Sequence, residues 1–297
     1  MVWYKDAAQF KALSGHEVEG EWYPRVTRIL SVKAKPALEN FLKEVGMEAA
    51  EAIKIKSAEE GTVMHEVIQK IAVGEKITVP EAARPAAEAF EAFNKERGIF
   101  FHPEFVERPI WSAVHRYAGT VDALAEIDGK FGVLDIKTST GFYPEYNLQT
   151  AAYVQALQEP EIKRAIALPR NIETRWILRV DQNKICARCG ATLREKGGRS
   201  KIRTPRQNGG NGNGFGLFAS PASTAGATVA FGDRLGAIKR SSPPPCPEGE
   251  HEWGSTRGEI ELKEFPYYMR DIKAFLAAKT LWEWDNDYWL RQIGYLK

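Results

Sequence analysis

The sequence predicts an α/β protein: a mixed central sheet flanked by helices, a helical amino-terminal part and an inserted loop carrying cysteine and histidine. The first observation is the helical spacing of apolar residues in the first hundred positions. The second is a group of β-rich runs, two of them joined by Asp-Gly, that are followed by a helix and then by further β-rich runs. This succession of strand and helix patterns is typical of domains in which helices cover a sheet.

The amino-terminal hundred residues are predicted to be mainly helical. Residues 23–30 (YPRVTRIL) are an exception, since their β-branched residues favour a short strand or extended segment. Residues 36–61 predict a helix with Gly46 as a stop or turn, and residues 80–98 predict an amphipathic helix. Residues 61–75 predict another helix because apolar residues recur at i, i+3, i+4 and i+7, namely Met64, Val67, Ile68 and Ile71.

The rest of the chain alternates between strand and helix patterns. Two β-rich runs flank Asp128 and Gly129, and Asp-Gly is a strong hairpin signal. The last two β-rich runs are predicted to be neighbouring strands whose connecting turn has been expanded by an insertion. The β-rich runs are residues 104–112, 118–127, 130–139, 174–180 and 258–265, and the helical runs are residues 146–159 and 267–287.

These patterns predict one domain in four parts. A helical part (residues 1–100) precedes an α/β core (101–182), a basic Gly-rich insertion (183–257), and a final strand and helix (258–297). The insertion contains the run NGGNGNGFG and a triple proline. Connections of this length without regular structure are usually functional or disordered.

Composition excludes several classes of protein. A hydrophobic content of 43% and a charged content of 27% are those of a globular chain. No run approaches the roughly 20 apolar residues of a membrane helix, and the first residues lack the pattern of a signal peptide. We therefore expect a cytoplasmic protein without a membrane partner.

Charge is distributed unevenly although the net charge is only +2. Residues 183–257 contain twelve Lys or Arg and five Asp or Glu, whereas the rest of the chain is mildly acidic. A basic surface of this kind indicates either a polyanionic partner or solvated loop charge.

Three charged residues lie inside the apolar runs around the Asp-Gly hairpin: Asp122, Asp135 and Lys137. Asp135 and Lys137 are two apart and share one face of their strand, and the hairpin can bring Asp122 near them. Two converging carboxylates suit Mg²⁺ or Mn²⁺, and a nearby lysine can stabilise an oxyanion or help to activate water. The alternative is a salt bridge on a solvated sheet face.

The order of four motifs resembles the PD-(D/E)XK nuclease superfamily. The motifs are GTVMH (residues 61–65), GTVD (119–122), LDIK (134–137) and QTAAY (149–153). More narrowly, the pattern is similar to the branch holding RecB-type nuclease domains, CRISPR adaptation nucleases and the mitochondrial genome-maintenance exonuclease. The resemblance implies a restriction-endonuclease-like core and covers about residues 23–180 and the chain after residue 258.

The resemblance also implies roles for individual residues. His65, Asp122, Asp135 and the carbonyl of Ile136 would bind the metal ion, and Lys137 would position the attacking water. Gln149 and Tyr153, which share one helical face, would face the active site and contact DNA; otherwise they are part of a polar helix surface. Members with an iron–sulfur cluster carry a cysteine upstream of these motifs, which this sequence lacks, so no such cluster is expected.

All three cysteines lie in the insertion. Cys186 and Cys189 form a Cys-x-x-Cys pair followed by glycine, which is typical of a zinc knuckle, and Cys246 and His251 can complete a Cys₃His site. The alternative is a set of unliganded thiols. Closure of this site would make the basic run KGGRSKIRTPR (residues 196–206) project from it, where the run would bind nucleic acid, dock a protein or remain solvated.

Together these features predict a metal-dependent DNA nuclease, more specifically an exonuclease acting on single strands or DNA ends in recombination, repair or phage replication. A separate recombination or replication protein is a possible partner. Two alternatives remain open at this point. One is a non-catalytic DNA-binding or adaptor protein on the same fold, and the other is a ribonuclease.

Overall fold

The computed structural model describes residues 4–204, 246–247 and 249–297. Within these residues the helices are α1 Ala7–Ser14, α2 Val26–Ile29, α3 Pro36–Val45, α4 Met47–Ala72, α5 Arg84–Arg97, α6 Pro144–Gln158, α7 Pro160–Ala165, α8 Met269–Asp285 and α9 Asp287–Gln292. The strands are β1 Gly15–Val18, β2 Glu21–Pro24, β3 Phe100–Phe101, β4 Arg108–Ser112, β5 Tyr117–Val121, β6 Ala123–Ile127, β7 Lys130–Lys137, β8 Thr174–Ile185, β9 Thr192–Lys196, β10 Arg199–Arg203 and β11 Arg257–Glu264.

Seven strands of the described residues form the central sheet, in the order β10-β9-β8-β7-β6-β3, with β11 also paired to β8. The β7–β8 pair is parallel and the other pairs are antiparallel. A parallel pair needs a crossover connection, and α6 and α7 supply it. The expected α/β architecture with a mixed sheet flanked by helices is therefore confirmed.

Apolar side chains cover both faces of the sheet. On one face, Leu134 and Ile136 of β7 pack with residues of α4 and α5. On the other face, Phe131 and Val133 pack with residues of α6 and α8. Because side chains alternate along a strand, Asp135 lies on the α6 face with Phe131 and Val133.

The predicted Asp-Gly hairpin and the predicted late strand pair are both present. Ile127 pairs with Lys130 across a two-residue turn. Asp128 and Gly129 have φ of 51° and 78°, the positive values that a tight hairpin turn requires. Strands β8 and β11 are antiparallel neighbours, with the insertion between them.

The expectation of one strand over residues 118–127 is wrong. Strand β5 pairs with β4 in a separate two-stranded sheet, and β6 pairs with β7 in the central sheet. Asp122 lies between them. The chain leaves one sheet and enters the other at this residue, whose carboxylate then bonds to the backbone of β7.

Two other expectations at the amino end need correction. Residues 23–30 are not a strand beyond Pro24, because Val26 and Ile29, three apart, bury their side chains on one side of the short helix α2. The helix expected from residue 61 begins fourteen residues earlier, as α4 runs without a break from Met47. The expected stop at Gly46 does separate α3 from α4.

The first part of the insertion is regular, contrary to the expectation of a structureless connection. Strand β8 continues to Ile185, and β9 and β10 form a hairpin that widens the central sheet. Lys196 pairs with Arg199 across Gly197 and Gly198, whose φ values of 64° and 77° again suit a tight turn. The NGGNGNGFG run and the triple proline lie outside the described residues. No helix in the described part of the chain combines the length and apolar character needed to cross a membrane.

Candidate active site and Cys/His cluster

Asp122 is fixed by the backbone of β7. The β6–β7 pairing reaches Ala123 and Leu134, and one residue further on the Asp122 carboxylate accepts the backbone N–H of Ile136 at 2.6 Å. The carboxylate thus takes the place that the next strand residue would have in the ladder. Among the described residues, no hydrogen bond is made to its other oxygen.

Asp135 and Lys137 form a buried ion pair. The Nζ atom of Lys137 lies 2.7 Å from Oδ2 of Asp135, whose side chain is only 1% exposed. The other carboxylate oxygen of Asp135, Oδ1, is buried and has no hydrogen-bond partner among the described residues. A salt bridge on a solvated face therefore does not describe this pair. An unpartnered buried carboxylate oxygen is costly unless another group compensates for it.

His65 of α4 reaches the same place from the opposite helical layer. Its Nδ1 atom lies 3.8 Å from Oδ2 of Asp122. Burial lowers the pKa of His65, and the ammonium of Lys137 lowers it further. The imidazole is consequently neutral at pH 7, which is the form that can bind a metal ion.

Burial dominates the electrostatics of the two carboxylates. It raises the pKa of Asp122 to about 6 and that of Asp135 to about 6, although Lys137 acts in the opposite direction on both. Burial also disfavours the charged form of Lys137, but Asp135 and Asp122 outweigh it and raise the Lys137 pKa. At neutral pH the site holds two carboxylates and one ammonium, a net negative charge that a divalent cation can balance.

Tyr153 connects the QTAAY motif to the GTVD motif. It is buried, and Gln149 donates to its hydroxyl at 3.0 Å. Burial and then the charge of Asp135 raise the pKa of Tyr153, so its hydroxyl stays protonated. A Cβ atom on Gly119 would lie 2.6 Å from the Tyr153 ring, so glycine is needed for this close approach.

Residues from all four motifs therefore meet at the carboxyl end of β7. His65, Asp122, Asp135 and Lys137 interact electrostatically with one another. Tyr153, with Gln149 bonded to it, closes the α6 side. Ile136 supplies its backbone N–H to Asp122, and the use of its carbonyl as a metal ligand stays a prediction.

Glu107 also reaches the site, although none of the four motifs contains it. Its backbone N–H donates to the carbonyl of Asp122 at 3.1 Å, and its φ of 51° is unusual for a residue other than glycine. Its carboxylate accepts a hydrogen bond from Gln69, four residues after His65 on α4. The charge of Glu107 raises the pKa of Asp122, so it adds to the negative potential of the site. The only sequence signal was Gln69, which shares a helical face with His65.

Two basic residues of the insertion also reach the site, which the sequence did not indicate. Lys196 and Arg194, both in β9, donate to the carbonyl of Thr138, the residue after Lys137. Burial and then Arg194 lower the pKa of Lys196 to about 8. Because 58 residues separate Lys196 from Thr138, only the fold reveals this contact.

The Cys/His residues of the insertion form a compact cluster. The ligand atoms of Cys186, Cys189, Cys246 and His251 all lie within 4.8 Å of one another. The Sγ atoms of Cys186 and Cys246 are 3.9 Å apart, and Sγ of Cys189 is 3.4 Å from Nδ1 of His251. Two thiolates on one tetrahedral zinc ion would be about 3.8 Å apart, given Zn–S bonds of about 2.3 Å. This cluster can bind a metal ion such as zinc.

Backbone groups prepare the cluster for thiolate ligands. Burial opposes ionisation of Cys186, but backbone N–H groups, first that of Cys189, and then His251 outweigh it and lower the Cys186 pKa to about 6. For Cys246, burial and the two neighbouring thiols raise the pKa to about 11. Accumulating three thiolates therefore requires a compensating cation, as a metal ion provides.

Comparison with models of known protein families gives no match, and no curated protein has a significantly similar sequence.

Proposed function

We propose that this chain is a metal-dependent DNA nuclease of the PD-(D/E)XK type with a restriction-endonuclease-like core. One observation carries the proposal. Two carboxylates from separate motifs, Asp122 and Asp135, converge with His65 and Lys137 at the buried end of β7. Such a concentration of charge is costly for stability alone and is typical of a site that binds and activates reactants.

The donor atoms fit Mg²⁺ or Mn²⁺. Asp135 offers an unpartnered buried oxygen, Asp122 a carboxylate held by β7, and His65 a neutral imidazole. The Ile136 carbonyl is a fourth candidate ligand. Oxygen donors with one imidazole suit these ions better than they suit soft metals. When bound, such an ion supplies an acidified water and charge neutralisation at the phosphate.

The other residues act on the reactants directly. Lys137 stays protonated, so its ammonium can orient the attacking water or donate to a phosphoryl oxygen that gains charge. The half-buried Gln149 supplies a neutral donor beside the carboxylates that is suited to contact with DNA, and the buried Tyr153 hydroxyl holds it in place. Hydrolysis forms a bond from water oxygen to phosphorus and breaks one P–O bond of the backbone, and the leaving oxygen takes up a proton.

The assignment of substrate rests on the motif order. It favours DNA as substrate, and exonuclease action on single strands or duplex ends, in recombination, repair or phage replication with a separate protein partner. The Cys/His cluster would hold one structural zinc ion that anchors the insertion.

End-labelled single-stranded and duplex DNA provide the test. Wild type, Asp135→Ala and Lys137→Ala are incubated with Mg²⁺, Mn²⁺ or EDTA, and the products are separated by size. The proposal predicts metal-dependent degradation by wild type, lost in both variants, with the label position showing the direction of digestion.

Two results would replace the proposal. Binding of DNA without cleavage under every metal ion tried would instead support an adaptor protein on the nuclease fold. Metal-dependent cleavage of RNA, with DNA left intact, would make the chain a ribonuclease.

A further inference from the structure

A groove lies between the helices α3 and α4 on one side and the β9–β10 hairpin of the insertion on the other. It encloses about 630 Å³. This volume suits a small ligand or a short stretch of a flexible chain, and it is too small for a folded domain or a duplex.

Positive charge dominates the lining. Glu145 is the one acidic residue among the described residues that line the groove. Lys35 and Lys201, on opposite walls, are exposed and form no ion pair with any described residue. The hairpin contributes Arg194, Lys196, Arg199 and Lys201, and the opposite wall contributes Lys33, Lys35 and Lys54. Four of these cations, Lys33, Lys54, Arg194 and Arg199, also pair with carboxylates, so the uncompensated positive charge comes from Lys35, Lys196 and Lys201. A partly enclosed site with this excess of cations favours a polyanion.

Aromatic rings lie among these cations. The rings of Tyr143 and Tyr146 are edge-to-face, with centroids 5.6 Å apart, and the guanidinium of Arg199 lies 5.3 Å from the ring of Phe41. All three aromatic side chains line the groove and are half-buried. Rings alternating with phosphate-binding cations are the arrangement that holds unstacked bases, whereas an acidic peptide needs only the charge.

The groove adjoins the candidate active site. Tyr146 lines the groove, and its ring centroid lies 5.1 Å from the Nζ atom of Lys137. Lys196 also lines the groove and bonds to Thr138, directly after Lys137. One wall of the groove therefore borders the ammonium that pairs with Asp135.

We propose that this groove binds a single strand of DNA and guides it to the carboxylate site. The phosphates contact the cations of the hairpin and of the opposite wall, and the bases stack on Tyr143, Tyr146 and Phe41. The choice of DNA rests on the proposed function. The route along the insertion hairpin rests on the groove itself.

Binding of a fluorescein-labelled 20-nucleotide oligo-dT, measured by anisotropy, tests the proposal. The zinc-loaded full-length chain is used in an Asp135→Asn background without added Mg²⁺ or Mn²⁺, so that no cleavage intervenes. The variant pair Lys35→Gln/Lys201→Gln is compared with the matched pair Lys76→Gln/Lys273→Gln, two exposed lysines outside the groove. Tyr143→Leu is compared with Tyr143→Phe, which keeps the ring.

The groove pair is expected to bind roughly tenfold more weakly and to reduce the salt slope by about 1.4, the value for two lost phosphate contacts on a single strand. Tyr143→Leu is expected to bind roughly tenfold more weakly, whereas Tyr143→Phe binds like its parent. The affinity of the matched pair for oligo-dT is expected to stay within about twofold of that of the parent, since this pair removes the same charge at positions outside the groove. Thermal melting of each variant verifies that it is folded.

Unchanged binding in the groove pair, at normal stability, would overturn the proposal. Equally tight binding of a duplex or of oligo-rU through the same residues would overturn the single-strand or the DNA assignment. If polyglutamate displaced the labelled oligo-dT as well as unlabelled oligo-dT of the same charge did, the aromatic rings would contribute nothing to binding. If the groove pair binds oligo-dT weakly but wild type shows no metal-dependent cleavage, the groove assignment stands and the nuclease proposal is refuted. If wild type cleaves DNA but the groove pair binds normally, only the groove assignment is refuted.

Discussion

Lys196 donates to both oxygens of Thr138, the carbonyl at 2.5 Å and the hydroxyl at 2.7 Å. Thr138 directly follows Lys137, so the insertion supports the segment that leaves the candidate active site. Lys196 has no carboxylate within ion-pair distance among the described residues, and burial lowers its pKa to about 8. The insertion is therefore physically coupled to the site, and its basic groups are placed beside it.

The pKa of Lys196 predicts a pH dependence of DNA binding. Below pH 8 the side chain is charged and contributes to the groove, and above pH 8 it is neutral. Oligo-dT binding should therefore weaken by roughly fivefold between pH 7 and pH 9, the loss of about 1 kcal/mol for one solvated charge contact. Lys196→Arg, which stays charged, should remove most of this dependence. An equal pH dependence in wild type and Lys196→Arg would assign the titration to another group.

The contact of Gly119 with Tyr153 predicts a sharp difference between two glycine substitutions. Gly119→Ala places a methyl group 2.6 Å from the Tyr153 ring, so the ring must move from its position beside the candidate site. We expect a loss of about 1–3 kcal/mol in unfolding free energy, as for an overpacked core, and a large loss of nuclease activity. Gly141→Ala is the control, because nothing lies within 4 Å of its added Cβ. Urea unfolding and the cleavage assay measure both effects, and a fully active Gly119→Ala would contradict the role given to Tyr153.

The raised pKa of Asp135 predicts how stability changes with pH in the absence of divalent ions. The folded carboxyl titrates near pH 6, whereas an unfolded one titrates near pH 3.9. Between these two pH values the folded state holds a proton on Asp135 that the unfolded state has lost. This protonation stabilises the fold fully below about pH 3.9, and the stabilisation is lost as pH rises through 6. Asp135→Asn removes this titration. Between pH 5 and pH 7.5, the unfolding free energy of wild type should fall by about 1 kcal/mol relative to that of Asp135→Asn.

Added Mg²⁺ should reverse that trend, because it binds the deprotonated carboxylates and stabilises the folded state. Urea unfolding at the two pH values, with and without Mg²⁺, is the measurement. The same pH profile in wild type and Asp135→Asn would show that Asp135 titrates normally.

The Cys/His cluster predicts one zinc ion per chain and a stabilising effect of that ion. His251→Ala and Cys189→Ser should each lose zinc by elemental analysis and lower the melting temperature by roughly 5 °C. The backbone N–H of Cys186 bonds to the carbonyl of Ala191, directly before β9, so these variants should also weaken oligo-dT binding. His115→Asn, outside the cluster, is the matched control. Undiminished zinc content in both cluster variants would place the metal elsewhere.

Local sequence rules were sufficient for part of this site. The period of two along β7 places Asp135 and Lys137 on one face, and the Asp-Gly turn fixes the register of β6 against β7. Gln149 and Tyr153 are four apart on α6 and are hydrogen-bonded, as helical geometry requires.

Other features depend on contacts between distant segments. The break at Asp122 exists because β5 finds its partner in β4, which propensity cannot indicate. Glu107 and Lys196 join the site through Asp122 and Thr138, with no nearby residue in the chain to reveal them. The β9–β10 hairpin had a local signal in Gly197 and Gly198, but the glycine-rich composition of the whole insertion obscured it.

Calorimetric titration with Mn²⁺, paired with single-strand cleavage, tests the central claim most directly. Zinc-saturated wild type is compared with Asp135→Asn and with Asp128→Asn, which alters an exposed aspartate in the neighbouring hairpin turn. We predict Mn²⁺ binding and cleavage in wild type and Asp128→Asn, and the loss of both in Asp135→Asn. Mn²⁺ binding and cleavage by Asp135→Asn at the wild-type level would show that the buried carboxylates are not the catalytic metal site.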